Sequence, residues 1–131
     1  MKTNFKYYGA AILWALFIFI LCSIKMGEVS HSPMFFAGFD KLTHCGMFFV
    51  LVVFYCMGFI RKRDFDSLTY SVAATVTIVA ILYGGLIELL QLYIFTWRSG
   101  EWADWFSDAV GAGMGIFGVW LTIFAIKNVK K

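Results

Sequence analysis

Four apolar windows, residues 8–24, 42–60, 71–95 and 104–126, take up most of this 131-residue chain and decide what it can fold into. A helix of about 20 residues crosses a hydrocarbon core of about 30 Å, and each window falls near that length. Only helices and closed barrels satisfy their own backbone hydrogen bonds in lipid. The windows are continuous runs with no period-2 alternation, which selects helices. Hydrophobic residues make up 61% of the chain and charged residues 15%, with a mean hydropathy of +0.79. That balance fits an integral membrane protein and not a water-soluble domain. The expected fold is an all-α membrane protein, a four-transmembrane-helix bundle forming one domain over residues 1–131, with no stretch left for a soluble module.

Basic residues orient such a bundle. Lys2 and Lys6 precede the first window, Arg61, Lys62 and Arg63 follow the second, and Lys127, Lys130 and Lys131 follow the fourth. Only Lys25, Lys41 and Arg98 fall on the other side. The positive-inside rule then places both termini and the 61–63 loop in the cytoplasm. The net charge of +3 is a consequence of that topology, and no nucleic-acid partner is expected. The first window, led by Lys2 and Lys6, has the outline of a signal peptide but no A-x-A-like cleavage site. Leu21 ahead of Cys22 is too bulky for a lipoprotein-type site, so the segment reads as an uncleaved helix. Cys22, Cys45 and Cys56 show no CxxC spacing and read as small buried apolar residues; a Cys22–Cys45 disulfide is the alternative. In the outer loop 25–39, Pro33 accompanies Phe35, Phe36 and Phe39, rings expected at the membrane interface. Asp64 and Asp66 are expected to face solvent, and Trp97, Trp102 and Trp105 to form an interfacial belt around the outer loop 96–103.

Against this apolar background the polar residues carry the information. Glu88 lies in the middle of the third window, where an unpaired ionisable group costs about 2.5–3.5 kcal/mol on insertion scales. A rise of 1.5 Å per residue puts Glu88 about 10 Å inside the outer boundary, and His44 and Asp108 about 6 Å inside it. Asp40, Lys41 and Gln91 lie nearby in depth, with Arg98 and Asp104 at the mouth. The expectation is an outward-facing polar pocket. Helical spacing supports it: Asp104, Asp108, Gly111, Gly115, Gly118 and Thr122 share one face of the fourth helix. Thr77, Ala80, Gly84, Glu88 and Gln91 share one face of the third, and Asp40, His44, Met47, Leu51 and Tyr55 one face of the second. Gly84, Gly111, Gly115 and Gly118 read as packing residues that let helices approach closely. The simplest assembly presses the small, polar faces of the third and fourth helices together, with large aliphatic residues toward lipid.

Each of these residues also has a purely structural reading. Glu88 paired with Arg98 or His44 would orient helices, and buried pairs often break even in energy. His44 serves equally as helix anchor, proton carrier or metal ligand. Asp104 at a helix start is a good N-cap, whereas Asp108, one turn further in, is too deep to cap. Lys41 and Asp40 read as interfacial anchors.

The segments Asp40-Lys41-Leu-Thr-His44, Glu88-Leu-Leu-Gln91, Arg98 and Asp104-x-x-x-Asp108-x-x-Gly111-x-x-x-Gly115 occur in an order and spacing that resembles the VanZ-like family. The likeness covers roughly residues 39–118. One departure stands out: Asp108 occupies a position where the family usually carries asparagine, adding an acid to the pocket. The resemblance implies a small multi-pass protein of the bacterial inner (cytoplasmic) membrane. The family's founding member is associated with low-level resistance to the glycopeptide antibiotic teicoplanin, and no settled reaction comes with it.

Three functions compete. The first is a protein that binds or shields an amphiphilic envelope molecule: a lipid-linked precursor, a phospholipid or a lipoglycopeptide. Asp40, Lys41, His44, Glu88, Gln91, Arg98, Asp104 and Asp108 would form the ligand site. The second is an enzyme acting on a lipid headgroup or phosphate, with Glu88, His44 and Asp108 as catalytic candidates. A divalent cofactor such as Mg²⁺ or Mn²⁺ would suit Asp104, Asp108, Glu88 and His44 together, although no HExxH or CxxC spacing accompanies them. The third is a proton-coupled transporter, for which intramembrane acids and His are the usual relay groups; a bundle this small, without an internal repeat, would need a homo-oligomer.

Overall fold

The computed structural model describes residues 2–25, 38–63 and 68–129. They form four helices: α1 Lys2–Ser23, α2 Phe39–Lys62, α3 Tyr70–Tyr93 and α4 Trp102–Val129. All four are long and apolar enough to cross a membrane. Among the described residues there is no strand. Pro33, Phe35, Phe36, Asp64, Asp66, Lys130 and Lys131 lie outside the described residues.

The helices run beyond most of the apolar windows because their polar ends favour helix as well. Asp40 sits in the first turn of α2 and Arg61 and Lys62 in its last. Asp104 and Lys127 do the same for α4. Each charge complements the partial charge at its helix end. The α3 helix opens at Thr69, whose hydroxyl accepts the Val72 N–H, and it closes at Tyr93, two residues short of the apolar window. There the N–H groups of Ile94 and Phe95 both turn back to the Leu90 carbonyl.

Contacts at the two ends establish an up-down-up-down order. At one end, the Gln91 amide donates to the Cys22 carbonyl (2.9 Å), Trp97 Nε1 donates to the Ser23 carbonyl (3.0 Å), and Lys41 Nζ reaches Glu101 Oε2 (2.9 Å). That end therefore gathers the C-termini of α1 and α3 with the N-termini of α2 and α4. At the other end Gly58 of α2 lies against the Tyr7 carbonyl of α1.

The most extensive helix contact is between α2 and α4, and here the expected assembly needs correcting. Gly111 is pressed against the Cys45 carbonyl, and Gly115 against the Phe49 carbonyl and Val52. The glycine face of α4 thus meets α2, while α3 meets α4 beside it, with Gly84 against Asp108. A pattern of small residues identifies a face that can be approached closely; it does not say which helix approaches. Gly118 is only half-buried and Thr122 is exposed, its hydroxyl donating to the Gly118 carbonyl of its own helix. The buried stripe of α2 also differs from the expected one. It runs His44, Met47, Phe48, Val52, Cys56 and Ile60, whereas Asp40 and Tyr55 are exposed. Because α2 is flanked by α1 as well as α4, its buried surface is wider than one row of side chains. On α3 the stripe Ala80, Gly84, Glu88 and Gln91 is buried. All three cysteines are free thiols.

Outward, the bundle presents large apolar side chains such as Leu82, Leu121, Phe117 and Phe124. Only 22–39% of the residues in an 18-residue apolar stretch of each helix are buried inside the bundle. A surface so continuously apolar suits hydrocarbon and not water.

Candidate functional site

Two glycines create the site. Where Gly111 rests on the Cys45 carbonyl, α2 and α4 come close enough for His44, next to Cys45, to face Asp108, one turn before Gly111. Gly84 brings α3 onto the same spot: a Cβ there would lie 2.5 Å from Asp108 Oδ2. Glu88, one turn along α3 from Gly84, then points at the same imidazole.

His44, Glu88 and Asp108 are all buried, and ligand-type atoms of the three lie within 4.8 Å of one another. His44 Nδ1 is 2.9 Å from Asp108 Oδ1 and 4.0 Å from Glu88 Oε1. The first is a hydrogen bond, with the ring Nδ1–H donating to the carboxylate in the neutral imidazole. Glu88 Oε2 accepts the backbone N–H of Glu101 at 2.8 Å. Among the described residues two buried oxygens, Glu88 Oε1 and Asp108 Oδ2, have no hydrogen-bond partner. Two acids share one imidazole, and the nearby cations pair elsewhere. The cluster therefore has an excess of acceptors in a place where an unmet acceptor is costly.

A second tier lies above it. Lys41 Nζ bridges Glu101 Oε2 at 2.9 Å and Asp104 Oδ1 at 3.2 Å, tying the start of α2 to the start of α4. Asp104 is buried and belongs to the first turn of α4, with its own N–H bonded to the Glu101 carbonyl. Its carboxylate takes Lys41, so pairing explains it where capping was the structural expectation. Arg98 Nη2 lies 3.9 Å from Asp40 Oδ1, an ion pair at the bundle's edge and too long for a hydrogen bond. The structure thus divides the eight expected ligand residues. His44, Glu88 and Asp108 form the centre, Lys41 and Asp104 roof it, and Asp40 and Arg98 stand at the rim. Gln91 does not join them; fully buried, it serves the end of α1.

Glu101 was not among the expected residues, yet its backbone holds Glu88 and its side chain holds Lys41. A single acid in a short loop reads as solvated, and the only cue was its place immediately ahead of α4.

Beside the cluster runs a half-open groove of about 430 Å³ between α3 and α4, walled by Leu82, Leu86, Leu89, Leu92 and Trp105 and touching Glu88 and Glu101. Trp105 is fixed in that wall: its indole lies over Gly85 and donates to the Ile81 carbonyl at 2.8 Å. That anchored position is more interior than an interfacial belt requires, whereas Trp102 beside it is largely exposed. A second groove of about 410 Å³, between α1, α2 and α3, is lined by Tyr8, Leu51, Tyr55 and Tyr83 among others, with no Asp, Glu, Lys, Arg or His among its described lining residues.

No protein-family model, no curated protein and no solved structure matches this chain.

Proposed function

We propose that this chain is a VanZ-like, multi-pass protein of the bacterial inner membrane that binds or shields an amphiphilic envelope molecule. Its acyl part lies in the α3–α4 groove and its polar head meets the His44–Glu88–Asp108 cluster under the Lys41 roof. The observation that carries this reading is Glu88, which belongs to both: it lines the groove and approaches His44. An apolar trough ending on a few convergent polar groups is the usual form of a site for a ligand with one apolar and one polar part. The distribution of Lys and Arg supports cytoplasmic termini, which puts the cluster toward the outer face, where lipid-linked precursors and lipoglycopeptides are met. Low-level glycopeptide tolerance would follow from sequestering such a molecule.

An enzyme acting on the headgroup is the second reading. The hydrogen-bonded His44–Asp108 pair is what favours it, since a carboxylate that orients an imidazole is a common general-base arrangement. Proton-coupled transport has less support. In the half of the bundle away from the cluster no acid or histidine is found within the described spans, and the hydroxyls of Thr77 and Thr122 donate to carbonyls of their own helices.

Leu86→Trp tests the binding reading. Leu86 is half-exposed on the groove wall, so the larger ring fills the trough without entering the core. Purified native protein is expected to retain endogenous phospholipid or prenyl-linked lipid, detected by native mass spectrometry, and the variant to lose most of it at unchanged melting temperature. Equal lipid retention by both proteins would exclude the groove as the binding site.

A further inference from the structure

His44, Glu88 and Asp108 come from three different helices and meet with two buried oxygens that no donor among the described residues reaches. A ligand that supplies positive charge at this point would meet Glu88 Oε1 directly and neutralise the Asp108 carboxylate to which the second oxygen belongs. We propose that these three side chains form a binding site for one divalent first-row metal ion of the Zn²⁺ or Mn²⁺ type. The site does not depend on what occupies the groove.

The spacing suits an ion. Nitrogen and oxygen ligands sit about 2.1 Å from such a metal, which separates ligand atoms by about 3.4 Å in a tetrahedral site and by about 3.0 Å (adjacent) or about 4.2 Å (opposite) in an octahedral one. His44 Nδ1 lies 2.9 Å from Asp108 Oδ1 and 4.0 Å from Glu88 Oε1, within that range on both counts. An ion between them takes the place of the Nδ1 proton, and the neutral ring then carries its proton on Nε2. The Glu101 N–H bonded to Glu88 Oε2 holds that carboxylate with its other oxygen toward the imidazole, the kind of outer support that metal-ligating carboxylates have. One imidazole with two carboxylates favours Mn²⁺ or Zn²⁺ over Mg²⁺, which prefers oxygen alone.

Asp40, His44 and Asp104 make an overlapping set. It is the weaker one: Asp40 is exposed, Asp104 Oδ1 is taken by Lys41, and the buried oxygens left without a partner among the described residues belong to Glu88 and Asp108 instead.

The test uses full-length protein in detergent, stripped with EDTA and titrated with Mn²⁺ or Zn²⁺ alone. The expected result is one ion per chain, with His44→Gln, Glu88→Gln and Asp108→Asn each weakening binding by at least about tenfold, the loss that removing even an outer-shell partner of a metal ligand causes. Asp40→Asn should weaken it less than any of these three, its carboxylate being exposed and outside the set. Electron paramagnetic resonance of the Mn²⁺-loaded native protein should show coupling to one imidazole nitrogen, a reading that stands even where a variant fails to fold. No stoichiometric uptake, no nitrogen coupling, or undiminished uptake by both Glu88→Gln and Asp108→Asn would overturn the site. Lipid retention scored separately on stripped protein distinguishes this failure from failure of the groove reading.

Discussion

Gly111→Ala, set against Gly113→Ala, separates close packing from simple helix propensity within one turn of α4. A Cβ at position 111 would run into the Cys45 carbonyl and its carbon, whereas one at position 113 meets nothing within 4 Å. Both substitutions replace a mid-helix glycine, so both gain about 0.8–1 kcal/mol of propensity, and that gain cancels in the comparison. What remains is the overpacking at 111, about 1–3 kcal/mol for an added methyl in a filled interior. The upper part of that range is expected because the obstacle is backbone and cannot rotate aside. Thermal unfolding of each purified variant, followed by tryptophan fluorescence, should show Gly113→Ala at or above the native melting temperature and Gly111→Ala clearly below it. The same separation of α2 from α4 would draw His44 away from Asp108, so Gly111→Ala should also lose metal binding. A Gly111→Ala protein as stable as Gly113→Ala would refute the claim that α2 and α4 touch through this glycine.

Other contacts give sharper local tests. Gln91→Leu keeps the volume but removes the donor to the Cys22 carbonyl, one of the last-turn carbonyls of α1 that the helix itself leaves unpaired; a loss of about 1–3 kcal/mol in the unfolding free energy is expected. Lys41→Gln leaves the buried Asp104 without its cation and should lower the melting temperature, while adding Asp104→Asn should restore most of the loss. No recovery in the double variant would show that Lys41 stabilises through other contacts. Trp105→Phe removes the bond to the Ile81 carbonyl, costing about 1 kcal/mol, and should also reduce lipid retention because the indole forms one wall of the groove.

Much of this could be read in advance, for a physical reason. In a chain that is apolar nearly everywhere, a polar residue inside a window must turn inward, and helical periodicity then says which others turn with it. That logic finds Glu88, His44 and Asp108, and the buried stripe Ala80–Gly84–Glu88 on α3. Periodicity is silent about partners across helices. The glycine face of α4 met α2 and not the sequence-adjacent α3, and Gln91, in line with Glu88, bonded to a backbone carbonyl of α1. Glu101 escaped notice because half of its role is played by its backbone N–H, which no residue type reveals. Asp104 looked like a cap, but the helix starts two residues earlier than its window, which turns a terminal position into a first-turn one.

The contact on which the rest depends is the one between His44 and Asp108. The chain has two histidines, so His31→Gln leaves His44 as the sole imidazole, and its ¹⁵N can be recoupled to ¹³C-labelled aspartate carboxyls by solid-state NMR in lipid bilayers. A strong short-range coupling from the ring to a carboxyl carbon is expected, and it should fall sharply when Asp108→Asn is added. An imidazole that shows no carboxyl neighbour at the longest mixing time, or whose coupling is indifferent to Asp108→Asn, would contradict the account.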